Sequence, residues 1–225
     1  MELLLDTANI SKIRKALDYY PISGLTTNPS IMKAEGKIDF WAHMREIQAM
    51  LGKDRTFHVQ VISKTCDGIL READVLRRKL GEDIYIKTPV SKEGLKAISV
   101  MSREGFNVTA TAIYTTFQAQ LAMLAGARYL AMYYNRMLNL DIDADKVFRQ
   151  VADSIREGGH NCKIVGASFK NVMQLTNAIA DGAQALTVPP DLLDTALANP
   201  SIDLAVENFR KDWSSVYGDS TLADI

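Results

Sequence analysis

Eight short runs of strand-forming residues alternate with amphipathic helical runs along this chain, and no other feature restricts its fold so strongly. The strand-like runs are "ELLLDT" (2–7), "PISGLTT" (21–27), "TFHVQVI" (56–62), "IYIKTP" (84–89), "FNVTATA" (106–112), "RYLAMYY" (128–134), "CKIVGAS" (162–168) and "ALTVP" (185–189). Between them lie stripes with the three-and-four spacing of a helix that buries one face. These are Ile10, Ile13 and Leu17; Ile69, Ala73, Leu76 and Leu80; Phe117, Leu121 and Leu124; Val147, Val151 and Ile155; and Val172, Leu175 and Ile179. Glycine often marks the return to the next strand, as in "LGED", "REGF", "AGARY", "EGGH" and "DGAQ", where positive φ ends a helix. Eight such units favour an α/β fold of the (β/α)8 TIM-barrel type over a doubly wound sheet, because no G-x-G-x-x-G fingerprint follows any strand. No low-complexity linker divides the 225 residues, so residues 1–225 are read as one domain.

The C-terminus departs from the rhythm. After "DLLDTALA" comes a further apolar stripe, Ile202, Val206, Phe209, Trp213 and Val216, which predicts an additional C-terminal helix over 201–218. A barrel has covered all its strands by then, so the stripe needs another surface: its own barrel or a neighbouring subunit.

Charge narrows the partners. The 26 basic and 27 acidic side chains nearly cancel, so the long-range field that draws a whole molecule to nucleic acid is missing, and any anionic partner is expected to be small. Cys66 and Cys162 are too few for a disulfide framework and suit a reducing compartment. His43, His58 and His160 form no HxxxH or HxH pair, so neither a metal site nor a cofactor is expected. No run approaches the ~18 apolar residues of a membrane span, and "MELLLDTANI" is acidic where a signal peptide is basic. The expectation is a cytoplasmic protein with no membrane partner.

In a barrel the reactive groups collect at the carboxyl ends of the strands, and side chains two apart on a strand share a face. Polar residues near those ends are Asp6, Thr26 with Asn28, Gln60, Lys87, Thr109 with Thr111, Tyr133 with Asn135 and Arg136, and Ser168 followed by Lys170. Each has an ordinary structural reading as well. Asp6 can open the turn into the first helix, Asn28 precedes Pro29 as in many turns, and the threonines of "VTATA" are good strand residues. Arg136 and Lys170 can be solvated loop charges. His58 shares a face with Gln60 but lies deeper, and is read as an interior histidine whose hydrogen bonds are met.

Lys87 is the least ordinary of these, an ammonium inside "IYIKTPV". It is either a strand-end lysine whose head reaches solvent or a lysine whose proton is easily lost. Among inward groups of a barrel, reduced polarity disfavours the ammonium and lowers its pKa. The neutral amine attacks a carbonyl and forms an iminium, an electron sink through which a neighbouring carbon–carbon bond breaks or forms by way of an enamine. Such chemistry needs a carboxylate to move protons, a hydroxyl or water as acid and base, and cationic donors for a phosphate. Asp6, Tyr133 with Thr111, and Arg136 with Ser168 supply those types.

At these residues the sequence resembles the transaldolase and fructose-6-phosphate aldolase family of class I aldolases, specifically its small-subunit branch. "LLLDTAN", "SGLTTNPSI", "IKTPVSKEGLKAI", "GARYLAMYYNRM", "GASFKN" and "FRKDW" carry the resemblance, which runs from Met1 to about Tyr217. It implies a Schiff base on Lys87 and a proton-handling role for Asp6. It also implies that Thr26 and Asn28 hydrogen-bond the donor's hydroxyls, and that Arg136 and Ser168, with Lys170 a weaker candidate, hold the phosphate.

Two positions divide that family. Transaldolases typically carry glutamate at the place of Gln60 and phenylalanine at the place of Tyr133, whereas this chain reads "HVQVIS" and "MYYNR". Glutamine cannot act as a base at neutral pH, while a tyrosine hydroxyl can hold and polarise a water. The resemblance therefore implies an aldolase that cleaves fructose 6-phosphate to dihydroxyacetone and glyceraldehyde 3-phosphate. Its rivals are a transaldolase, which passes the three-carbon unit between sugar phosphates, and a sugar-phosphate-binding barrel without catalysis. Met132 stands where proline is expected, and Asn107 with Ala110 alters the usual surroundings of Thr111, so donor and acceptor are left open. The resemblance also implies a homodecamer of two pentamer rings, with the 201–218 helix docked on the adjacent subunit.

Overall fold

In the computed structural model, which describes residues 1–225, the strands are β1 (Glu2–Asp6), β2 (Gly24–Thr26), β3 (Thr56–Gln60), β4 (Tyr85–Pro89), β5 (Asn107–Ile113), β6 (Tyr129–Tyr133), β7 (Lys163–Ala167) and β8 (Ala185–Val188). The helices are α1 (Ile10–Tyr19), α2 (Pro29–Ala34), α3 (Phe40–Leu51), α4 (Cys66–Leu80), α5 (Lys92–Arg103), α6 (Thr116–Leu124), α7 (Tyr134–Leu138), α8 (Ala144–Gly158), α9 (Val172–Ala180), α10 (Pro190–Leu197) and α11 (Pro200–Tyr217). The strands pair in parallel and in chain order, and β8 returns to β1 to close the barrel. A (β/α)8 barrel followed by a C-terminal helix is thus the observed fold.

The barrel's interior follows from the two-residue period of a strand. Leu4, Tyr129, Ala131, Val165 and Ala185 form one buried apolar cluster, with Tyr85 against it. Two residues onward along their strands come Asp6, Tyr133, Thr187 and Lys87. An apolar floor therefore carries a polar layer toward the carboxyl ends. At the opposite end Glu2 closes the bottom, accepting hydrogen bonds from the Tyr129 hydroxyl at 2.6 Å and from the Lys163 ammonium. The outward faces, among them Leu5, Leu25, Ile86, Val108 and Leu130, are fully buried beneath helices that contribute Ile13, Ile47, Ala73, Ile98, Ala119, Phe148 and Ala178.

Three features differ from the sequence reading. β2 has three residues rather than seven, because Pro21 has no N–H and the Ile22 N–H turns back to the Tyr20 carbonyl. The stripe Phe117, Leu121 and Leu124 is not the buried face of α6. Phe117 and Leu124 are exposed, and Ala119, Ala122 and Met123 are buried instead. α6 (TFQAQLAML) carries apolar side chains on more than one face, so periodicity is a weak guide to the buried one, and small residues let a helix lie close to the sheet. Ile179 is likewise partly exposed, while Ala178 takes the buried position in α9. α2, α3, α5 and α7 complete a helical layer that the apolar stripes outlined only in part.

The chain divides into two compact units, Met1–Pro190 and Asp191–Ile225. In the second, α11 has no buried residue, and Ile202, Val206, Phe209 and Val216 are exposed. Its end is tied off by the Trp213 indole, which donates to the Ser220 carbonyl at 2.6 Å and stacks on Tyr217.

Gly94 marks the closest helix-to-strand approach around β4. A β-carbon there would stand 1.9 Å from the Pro89 carbonyl oxygen, a backbone atom that cannot swing away. Gly94→Ala is expected to cost about 2–3 kcal/mol, lowering Tm by roughly 5–10 °C for a chain of this size. Calorimetry reads this directly, and an unchanged Tm would show that α5 can shift away from β4 without cost.

Candidate active site

The strand registers bring the polar layer together. Asp6 lies beside Thr26, Gln60 beside Lys87, Lys87 beside Thr109, and Pro89 beside Thr111. Lys87 is 2% exposed and points into the barrel, so the reading of it as a solvent-reaching strand-end lysine does not hold. Its Nζ makes one hydrogen bond, to the Thr27 carbonyl oxygen at 3.3 Å. An ammonium has three donors to satisfy, and one long bond leaves it poorly compensated for lost water. Burial accordingly pushes the Lys87 pKa down, and Arg136 adds to this while Asp6 opposes it.

Asp6 behaves in the complementary way. Burial raises its pKa, against the pull of Lys87, the Thr26 hydrogen bond and Arg136. Amine and carboxyl are thus both moved toward their neutral forms. Thr26 donates to Asp6 Oδ1 at 2.8 Å and lies 2.7 Å from the Thr187 hydroxyl on β8.

Across the barrel, Thr111 and Tyr133 hold their hydroxyls 3.0 Å apart. A bulge in β5 sets this up. The β5–β6 register slips between Ala110 and Ile113, and Ala112 is forced to φ 60°, a left-handed conformation that a residue with a β-carbon resists. Arg136 is exposed on α7, with its guanidinium 4.6 Å above the Tyr133 ring and a hydrogen bond to Tyr114 that raises its pKa further. Ser168 follows β7 at φ 65° and is half-buried.

Other candidates are placed differently. Gln60 has its Oε1 buried with no hydrogen-bond partner. Asn28 uses its side-chain oxygen to cap α2, accepting from the Ser30 and Ile31 N–H groups, so only its NH2 is left for a ligand. Lys170 is exposed, and its N–H donates to Gln174. A largely apolar cavity of about 620 Å³ shares Thr27, Asn28 and Gln60 with this cluster and extends past Phe40, Trp41 and Ile62.

Residues 3–220 match the sequence profile described as Transaldolase/Fructose-6-phosphate aldolase. The chain belongs to this family. It is 48% identical over 213 residues to a Streptococcus pneumoniae protein named "Probable fructose-6-phosphate aldolase", covering 95% of this chain and 96% of that relative.

Two groups of this transaldolase/fructose-6-phosphate aldolase barrel escaped the sequence reading. Thr187 sits in "ALTVP", where threonine passes as an ordinary strand residue, and only the closure of β8 onto β1 reveals its neighbours. Tyr114 lies just past β5, and the signal was available in a tyrosine immediately beyond the strand's end. His58, by contrast, is the interior histidine that was expected. It is fully buried, with Nδ1 2.7 Å from the Thr109 hydroxyl and Nε2 2.9 Å from that of Thr56, and it stacks on Tyr85.

Burial, with a smaller contribution from the Lys87 charge, pushes the His58 pKa down to about 3. Between the ordinary value near 6.5 and about 3, the unfolded chain binds a proton that the folded barrel refuses, so this group lowers stability as the pH falls. From pH 7 to pH 5 it is expected to remove about 2 kcal/mol. Urea unfolding of wild type and His58→Gln at both pH values isolates the effect: the variant should lose about 2 kcal/mol less, and equal losses would refute it.

Proposed function

We propose that this chain is a class I aldolase that reversibly cleaves fructose 6-phosphate to dihydroxyacetone and glyceraldehyde 3-phosphate through a Schiff base on Lys87. The observation that carries the reading is the burial of Lys87 Nζ, held by a single carbonyl oxygen, in one polar layer with Asp6, Gln60 and the Thr111–Tyr133 pair. Membership of the family supports it, as does the printed name of the Streptococcus pneumoniae relative.

The neutral amine adds to C2 of the open-chain ketose. Asp6 delivers a proton to the departing hydroxyl, water leaves, and an iminium remains. The electron pair of the C3–C4 bond then moves into the iminium to give an enamine. The C4 hydroxyl proton passes to a water held by the hydrogen-bonded Tyr133 and Thr111 hydroxyls, and glyceraldehyde 3-phosphate leaves. That proton returns to C3, and hydrolysis of the iminium releases dihydroxyacetone and restores the amine. Arg136 and Ser168, at the carboxyl ends of β6 and β7, are the groups we assign to the phosphate. Thr26 and Asn28 are assigned to the donor's hydroxyls, and Lys170 remains an outlying phosphate candidate. Gln60 is assigned to the water, since an amide can hold but not deprotonate it. A transaldolase reading keeps the same lysine but needs the enamine to outlive the release step.

We also assign α11 to contact with a neighbouring subunit of a homo-oligomer, a decamer of two pentamer rings, because its apolar stripe is exposed in the isolated chain. No helix is long and apolar enough to cross a membrane.

Lys87→Met should lower turnover of fructose 6-phosphate by at least about a thousandfold and abolish the mass increase left on the wild type by borohydride reduction with substrate. Near-normal turnover in the variant would remove Lys87 from the mechanism, and a wild type that binds substrate but gains no mass would favour a barrel without catalysis. Tyr133→Phe should reduce cleavage about ten- to a hundredfold while sparing transfer to erythrose 4-phosphate. Equal losses in the two assays would contradict the role given to its hydroxyl. In solution, Phe209→Glu should convert the oligomer to smaller species in light scattering, and an unchanged mass would dismiss α11 as an interface.

A further inference from the structure

We infer that Thr187 is a positioning residue for Asp6, acting through Thr26 to fix the orientation of that carboxyl group. The inference rests on the aldolase reading for its kinetic consequence, though not for its geometry.

β1 lies between β2 and β8 in the closed barrel, and each neighbour turns a threonine hydroxyl inward. Both Thr26 and Thr187 are 1% exposed, so neither hydroxyl has water to fall back on. Thr26 Oγ1 is 2.8 Å from Asp6 Oδ1 and 2.7 Å from Thr187 Oγ1. A hydroxyl has one proton to give. When Thr26 gives its proton to the carboxylate, the bond to Thr187 can only be one that Thr26 accepts. Thr187 then donates to Thr26, Thr26 donates to Asp6, and both dipoles aim at the same carboxylate oxygen.

The opposite order is disfavoured by what surrounds Thr187. Thr26 is the hydrogen-bond partner of its hydroxyl. Reversal would turn the Thr187 proton away from that partner, where Leu4 lies in register with it and Ala185 precedes it on the same inward face, both apolar. A buried donor left unmet is costly. The pair is therefore a one-way chain, and hydrogen bonds in such a chain polarise one another.

Two consequences follow for Asp6. Its Oδ1 is committed to an incoming hydroxyl, so any proton that the carboxyl carries during the reaction sits on Oδ2. The charged groups that act on it are Lys87 from β4 and Arg136 from α7, both cationic, while β2 and β8 present only these two neutral hydroxyls. Removing the Thr187 hydroxyl leaves both cations in place and weakens only the chain.

The experiment compares Thr187→Val, Thr187→Ala and Thr187→Ser with wild type in two readouts. One is substrate-free: the 13C titration of the Asp6 carboxyl in aspartate-labelled protein, assigned with Asp6→Asn. The other is the pH profile of fructose 6-phosphate cleavage. Valine and alanine should each move the Asp6 titration upward by about 0.5–1 pH unit, and the pH profile of kcat/KM should shift with it. Loss of the fixed carboxyl orientation should lower kcat roughly three- to tenfold, with KM within about twofold of wild type. Serine, which keeps the hydroxyl, should restore both. An unshifted Asp6 titration in folded valine and alanine variants, or a serine variant that behaves like valine, overturns the proposal. A wild type that does not cleave fructose 6-phosphate sinks the aldolase reading instead, and the carboxyl titration still decides the role of Thr187.

Discussion

The barrel is organised around the burial of one amine. A lysine at 2% exposure with a single carbonyl for company would ordinarily be a defect, because an ammonium deprived of water is destabilising unless it is paired. Here the partner, Asp6, stands half-buried on β1 in the same polar layer, and each group weakens the other's reason to become neutral. The result is a pair in which burial and mutual attraction oppose each other at both groups. An exposed pair would lack this opposition, since water would fix both charges and screen each from the other. Everything else in the upper layer keeps that pair dry or supplies the hydrogen bonds that water would have made.

The depth at which this happens follows from strand geometry. Along β1, β4, β6 and β8, moving two residues toward the carboxyl end changes the inward side chain from apolar to polar: Leu4 to Asp6, Tyr85 to Lys87, Ala131 to Tyr133 and Ala185 to Thr187. The apolar floor excludes solvent from below, and His58, kept neutral between two threonines, joins the floor to the layer above without adding charge. A protonated His58 would place a second cation against the underside of Lys87. The low proton affinity of this histidine therefore serves the site as well as the core, even though the residue never reaches the mouth.

The alternation of strands and helices was legible because apolar periodicity is a local property, and the barrel follows from counting to eight. Lys87, Asp6 and the Tyr133–Thr111 pair were legible because each is polar at a strand's carboxyl end. What could not be read were facts of closure and of competition. Thr187 matters only because β8 meets β1, a contact between the two ends of the barrel that no local pattern encodes. The buried face of α6 was misread because Phe117 and Leu124 make a better stripe than the alanines that touch the sheet. At Asn28, read as a ligand residue, the cap of α2 adds a second use that the sequence did not show, since an N-cap oxygen satisfies backbone donors that have no other partner.

The site also holds strain and unmet polarity where a ligand would relieve them. Ala112 and Ser168 adopt left-handed backbone, and they flank the mouth at the carboxyl ends of β5 and β7. Gln60 buries an oxygen without a donor one strand away from an amine with spare hydrogens. In a core such features would be removed by any substitution that improved stability, since most single changes that cure an unmet polar group or a strained φ are favourable. The Thr88 hydroxyl and Asp141 show the same features elsewhere, but Gln60, Ala112 and Ser168 gather at the carboxyl ends of the strands around Lys87. A hydroxylated, anionic ligand is the kind of molecule that would give Gln60 its donor and Lys87 its second partner at once.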